Sequence, residues 1–290
     1  MRSTLQLAFT DNYERLPSEK YVVPLSNCLS LAIYSSTKPH NLKIANLQKG
    51  LILAYNGEEK IGEGTGFGLP VLIYPRETFF AGSSTVSVTQ TADALKIRKE
   101  FHMNRVARNR LGHVYLENSK ARAFIRSLTD LYQKNRHFRF LSLKELFVKM
   151  GVEAAFVKTA TAGKVIVTYK IASSTINVKV DFRQVRKARL RKVFVLNEQS
   201  AAFFRKYFDP HGSCLMDKQI GAWDRVDSGW ACLTDLRGKV GFRLWNVEGG
   251  VLRRGRETMK SCLDWAGLDY EVKPDVAVFE YKIEVLGGGC

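Results

Sequence analysis

The stretch Leu51–Ser83, LILAYNGEEKIGEGTGFGLPVLIYPRETFFAGS, decides how this chain folds. Asn56-Gly57 tolerates the positive φ angles of a type I′ turn. It separates Leu51–Tyr55 from Lys60–Phe67, which reads as a β-hairpin. Gly62, Gly64, Gly66 and Gly68 then alternate with Glu63, Thr65, Phe67 and Leu69. Side chains on a strand alternate faces, so one face here is bare backbone, open to close approach by a ligand, a ring or another sheet. Glu63 stands out, because an acid between glycines gains little by packing. Nucleotide-binding loops do not fit. The sixth position of G-x-G-x-x-G falls on Phe67 or Leu69, and Leu69-Pro70 leads into VLIY instead of Gly-Lys-Ser/Thr and a helix.

Outward from this stretch the pattern stays β. Val71–Tyr74 and Thr78–Ala81 flank a Pro75-Arg76 turn, and Thr85–Thr89, Ala94–Met103 and Val114–Leu116 alternate apolar with polar residues. Val152–Thr159, Lys164–Ile171, Thr175–Phe182 and Leu190–Leu196 read as a meander. Gly229–Leu233, Val240–Val247, Val251–Arg256 and Val276–Leu286 close the chain as strands. The first fifty residues are short apolar pieces that suit edge strands or an arm laid over the core. Between the two β regions, Ala123, Phe124, Leu128 and Leu131 follow a 3.6-residue period over Ser119–Lys134. Ser142-Leu-Lys-Glu145 is a capping box, and Ala201–Phe208 has the length of a third short helix. The expectation is a mainly β chain, 1–290 as a single domain. Its form is a large antiparallel two-sheet β-sandwich, the super-sandwich type included, with two or three short helices near the middle, a helical insertion at 119–150 and a flexible tail at 287–290.

A sandwich of this length resembles, in architecture only, the two-sheet folds of aldose epimerases and of domains in polysaccharide-degrading enzymes. No catalytic motif of those families aligns with residues here, so the resemblance implies no site.

The composition is ordinary for a globule, 45% hydrophobic and 25% charged, but the formal net charge of +17 is not. It implies attraction to nucleic acid, anionic lipid or acidic polymers, or serves solubility alone. No run approaches the roughly 18 apolar residues of a membrane span, and MRSTLQLAFTDNYERL lacks a signal-peptide core, so a soluble cytoplasmic protein is expected. Cys28, Cys214, Cys232, Cys262 and Cys290 are widely spaced with no C-x-x-C pair, which suits reduced thiols. The five histidines show no metal-ligand spacing, and no cofactor is implied.

Two sets of residues carry candidate chemistry. In the final third, Trp223-Asp224-Arg225 and Asp264-Trp265…Asp269 bracket Arg253–Glu257. A ring that stacks on a pyranose, with carboxylates and guanidinium groups for its hydroxyls, is what a sugar site needs. Glu63, Asp224, Glu257 and Asp269 are the candidate acids, with His211 as a general acid or base. Trp223, Arg225, Arg256 and Trp265 are the candidate ligand contacts. The charge excess directs this reading to acidic saccharides. The competing structural reading makes the tryptophans core residues and the Asp-Arg pairs clamps. The second set is the basic run Arg183, Arg186, Lys187, Arg189, Arg191 and Lys192, which on a strand face would bind nucleic acid or another polyanion. A purely structural or protein-partner-binding domain is the third reading.

Overall fold

The computed structural model describes residues 6–8, 20–34, 48–61, 64–90, 94–107, 155–216, 224–259 and 263–287. Among the described residues the extended regular structure is β-strand, and every ladder is antiparallel. The expected helices at 119–134 and 142–150, like residues 288–290 of the tail, lie outside the described residues.

A five-stranded sheet runs in sequence order through β1 (Gln6–Ala8), β2 (Lys20–Pro24), β3 (Leu29–Tyr34), β4 (Ile52–Tyr55) and β5 (Glu58–Glu59). The remaining strands are β6 (Gly66–Ile73), β7 (Thr78–Gln90), β8 (Leu95–Ala107), β9 (Ala155–Ala172), β10 (Thr175–Asp181), β11 (Lys192–Gln199) and β12 (Lys206–Asp209), then β13 (Gly212–Leu215), β14 (Asp224–Arg225), β15 (Trp230–Thr234), β16 (Gly241–Trp245), β17 (Gly250–Met259), β18 (Leu263–Val272) and β19 (Val278–Leu286). They form one fourteen-stranded sheet in the order β13-β12-β15-β16-β19-β10-β9-β8-β7-β6-β11-β18-β17-β14. The sandwich arises because this sheet folds back on itself. Phe67 on β6 meets Phe242 on β16 edge to face with ring centroids 5.0 Å apart, and Tyr270 on β18 meets Tyr281 on β19 at 4.8 Å.

Asn56 and Gly57 have φ of 51° and 78°, as the hairpin turn between β4 and β5 requires. The glycine segment departs from a regular strand. Among the described residues β5 ends at Glu59 and β6, in the other sheet, begins at Gly66, with Lys60 N donating to Leu53 O and Gly50 N to Thr65 O between them. Gly68 shows why no side chain is tolerated there. Its φ is +82°, and a Cβ would sit 2.7 Å from the Tyr169 hydroxyl, which donates a 2.7 Å hydrogen bond to the Phe67 carbonyl. The bare backbone admits an aromatic ring from the opposite half of the sandwich.

Two sequence expectations change. Ala201–Phe208 is not a helix. One turn forms, with Phe204 N donating to Ser200 O at 2.9 Å, but Arg205 N then donates to Thr234 O and the segment joins β15 as β12. Burial of Phe204 and Tyr207 between the halves outweighs the local helical preference. Cys28 is disulfide-bonded rather than a reduced thiol; Cys214 and Cys232 are free. No described helix is long and apolar enough to cross a membrane.

The small sheet is tied to the large one by a buried lysine. Lys99 on β8 is fully enclosed and donates to O of Tyr34, the last residue of β3, at 2.9 Å and to O of Lys49, just before β4, at 2.6 Å. Enclosure lowers its pKa to about 7.

Gly68→Ala should destabilise the protein by roughly 2–4 kcal/mol in denaturant unfolding, from a left-handed backbone and an overpacked Tyr169 together. Gly57→Ala, with open space around it, should cost only the backbone share, about 1–2 kcal/mol. For Lys99, the unfolded chain holds a proton up to about pH 10.4 and the folded chain releases it near 7, so stability rises with pH between these values. Lys99→Met should flatten that rise in melting temperature between pH 7 and 10.

Candidate functional site

A turn and a loop, each shaped by local sequence, make a basic cleft at one end of the sandwich. Between β6 and β7, Tyr74 and Glu77 exchange backbone hydrogen bonds around Pro75-Arg76. The loop 182–191 straps across β9, where Gly163 (φ +101°) bridges Val185 and a Cβ would lie only 2.1 Å from the Gln184 carbonyl. Arg186 N donates to Ala162 O and Arg191 N to Ile73 O, so the strap is held at both ends. Arg105 near the end of β8 completes the walls.

The resulting open cleft, about 800 Å³, is lined by Tyr74, Pro75, Arg76, Glu77, Arg105, Arg186, Ala188 and Arg189. Four guanidinium groups thus face one carboxylate. Glu77 pairs with Arg105 at 3.2 Å and Arg186 at 3.5 Å. Arg76 and Arg189 have no carboxylate partner among the described residues. The Arg186 guanidinium covers the Tyr74 ring at 4.9 Å and the Phe79 ring at 5.6 Å, while the Tyr74 hydroxyl donates to the Arg186 carbonyl. Burial raises the Tyr74 pKa, so this hydroxyl stays a donor. What the arrangement can do is grip an anion with planar, permanently charged forks.

The basic run lies in a turn-rich loop, not along a strand face. Most of its cations have local duties. Arg183 forks onto Asp181, whose carboxyl it holds below the usual range. Lys187 donates to the carbonyls of Pro274 and Val276, both at 2.9 Å, and Lys192 pairs with Glu271 at 3.3 Å. Arg191 is exposed, which leaves Arg186 and Arg189 as the members that enter the cleft.

Of the sugar-site candidates, Asp224 and His211 are linked indirectly, through Arg254, Tyr207 and Asp209. Asp224, on the edge strand β14, has Arg254 Nε 3.8 Å away, and Arg225 pairs with exposed Asp227 at 2.9 Å. Arg254 also lies 4.2 Å over the Tyr207 ring. His211 is exposed at the β12–β13 hairpin, where its backbone N donates to Asp209. Asp209 also accepts from the Tyr207 hydroxyl and Ser228. Arg256 is buried and donates to the Met216 and Ala201 carbonyls; Trp265 is buried as well. Glu257 stands opposite Trp265 in the β17–β18 ladder, and its side chain, like Glu63 and Trp223, lies outside the described residues. Asp224, Arg225, Asp269 and His211 are joined to one another by no hydrogen bond or ion pair among the described residues.

Asp269 has a different setting. It is fully enclosed on β18, accepts from the Asn197 backbone N–H through Oδ1, and leaves Oδ2 without a hydrogen-bond partner. Glu198 converges on it above Gly267, whose absent Cβ would lie 3.0 Å from Glu198 Cγ and 3.1 Å from Asp269 Oδ2. Burial first, and the Glu198 charge second, hold the Asp269 carboxyl well above its ordinary range. Glu198, Glu77 and Arg76 escaped the sequence reading, because each sits in an ordinary strand or turn pattern with nothing local to mark it.

No protein family matches this chain, nor does any characterised protein match it by sequence. Solved structures do show similarity in shape. The α-N-acetylgalactosaminidase NagBb of Bifidobacterium bifidum, in complex with GalNAc, aligns over 91% of this chain and 36% of its own, at 9% identity and a TM-score of 0.46. This chain therefore spans about a third of that enzyme's length. A putative mutarotase, YeaD of Salmonella typhimurium, aligns over 98% and 97% at 6% identity and a TM-score of 0.39. Among the described residues no group of three or more His, Cys, Asp or Glu is placed to hold a metal ion.

An ionised Asp269 is disfavoured in the fold but not in the unfolded chain, where it titrates near pH 3.9, so stability falls as pH rises above that value. Asp269→Asn keeps an acceptor for Asn197 and never ionises. The variant should melt higher than wild type at pH 7, with the difference closing as pH approaches 4.

Proposed function

We propose that this protein binds an acidic saccharide in the arginine cleft. The observation that carries the reading is the lining: four guanidinium groups and one carboxylate around a space of about 800 Å³. That volume is within the usual range for a bound small molecule, which favours a short oligosaccharide over a polymer groove. Guanidinium forks match carboxylates or sulfates in pairs, and Glu77 adds an acceptor for sugar hydroxyls. Nucleic acid fits the lining less well. Single-stranded chains are held by bases stacked on open aromatic faces, whereas the rings here, Tyr74 and Phe79, lie under Arg186. This cleft lies apart from the described Trp-Asp-Arg segment residues Asp224 and Arg225 on β14.

Calorimetric titration with a trimer of galacturonic acid tests this reading, with the neutral galactose trimer and a short oligothymidylate beside it. Arg76→Gln and Arg189→Gln are the informative variants, since neither guanidinium has an ion-pair partner among the described residues. Each should weaken uronate binding by about tenfold, the scale of one charge-assisted hydrogen bond, without lowering the melting temperature. Unchanged affinity in both variants, or tighter binding of the oligothymidylate, would overturn the proposal.

A further inference from the structure

The open face of the large sheet carries a row of residues that stability alone does not explain. At one level across five adjacent strands stand Lys282 (β19), Asn177 (β10), Lys170 (β9), Lys96 (β8) and Thr89 (β7), in register partner by partner. All five are exposed. Neighbouring rows are neutralised in the ordinary way: Lys179 pairs with its cross-strand partner Glu280 at 2.6 Å, and Arg243 with Glu284 at 3.2 Å. In this row Lys96 instead faces Lys170 directly, and Lys282, Lys170 and Lys96 have no carboxylate partner among the described residues. Like charges opposite one another on a sheet are destabilising, so the arrangement has a cost that a bound anion would offset.

We infer that this row is a binding surface for a linear acidic polysaccharide, lying across the strands from Lys282 to Thr89. The strands are spaced at about 4.8 Å, comparable with the length of one pyranose residue, so each strand offers one side chain per sugar. Ammonium groups meet the carboxylates, and Asn177 and Thr89 meet the hydroxyls. Thr168 and Ser87 lie on the next row and extend the hydroxyl-binding surface. The Trp245 ring near Lys282 already has two cations against it, with the Lys282 ammonium 5.3 Å and the Arg243 guanidinium 6.0 Å from its centroid, and a nucleic-acid base would have to compete with them. The inference is independent of the cleft, which is at the opposite, Arg183-bearing end of β10, and it extends the ligand class from a short acidic sugar to its polymer.

The test compares polygalacturonate, the galacturonic acid trimer and an oligothymidylate of matched charge, each titrated at 0.15 M and 0.5 M salt. The row variant is Lys96→Gln, Lys170→Gln and Lys282→Gln together. A charge-matched control carries Arg237→Gln, Lys239→Gln and Lys273→Gln, exposed cations elsewhere on the surface. The row variant should lose at least tenfold in affinity for the polymer, keep its affinity for the trimer, and melt no lower than wild type, because a repulsive pair has been removed. The control should bind the polymer like wild type. Equal losses in the two variants would reduce the effect to bulk charge and overturn the inference. So would an unchanged row variant, or an oligothymidylate that depends on the row and binds at least as tightly as the polymer. Failure of the trimer to bind wild type would count against the cleft alone, since the polymer comparison does not depend on it.

Discussion

The hydrogen bond from the Tyr169 hydroxyl to the Phe67 carbonyl, made across the vacant side-chain position of Gly68, is the constraint on which the sandwich depends. A fourteen-stranded sheet that closes on itself must bring two rows of large side chains together without leaving backbone groups dry and unpaired. Tyr169 fills the space over Gly68 and gives the Phe67 carbonyl a second hydrogen bond beside the one from Leu51 N. Beside it, Asn197 does the same work, accepting from Gly68 N and the Tyr281 hydroxyl and donating to the Leu268 carbonyl. Around these contacts Phe67, Phe204 and Phe242 stack edge to face.

Several of the enclosed charges follow the same logic. Lys99 is used as a double donor that fastens the small sheet, and the depressed pKa is the consequence of its enclosure. Arg256 reaches two carbonyls in the segments that flank β12 and β13. Glu198 and Asp269 differ, since two acids over Gly267 repel when both are ionised, and one oxygen has no hydrogen-bond partner. This pair is a place where the fold holds a cost instead of a clamp.

The large positive charge is not spread evenly in its effect. Where a cation meets a carboxylate or a carbonyl, as at Arg183, Lys187, Lys192 and Lys179, it is largely spent on local structure. The cleft and the lysine row are two places where cations gather in excess of acids, and they lie at different ends of the sheet. Electrostatic attraction at both would be strongest for a ligand that carries its charges along a chain.

How much of this was legible beforehand depends on the range of each interaction. Period-two alternation in Thr85–Thr89, Lys164–Ile171 and Thr175–Phe182, and the Asn56-Gly57 turn, are nearest-neighbour properties, and the sequence by itself determined from them a β-rich antiparallel protein with a glycine segment open to close approach. Those patterns carry no information about which strand lies opposite which. Only the tertiary structure decided that Tyr169 fills the gap at Gly68, that the sheet is continuous and folds over, and that the segment after Ser200 pairs with β15. The sites follow the same division. The charge density of Arg183–Lys192 was visible in one dimension. Its division into spent and available cations, the meeting of Arg76 and Arg105 with Arg186, and the facing of Lys96 by Lys170 arise from contacts between residues far apart in the chain, which chain-local periodicity cannot encode.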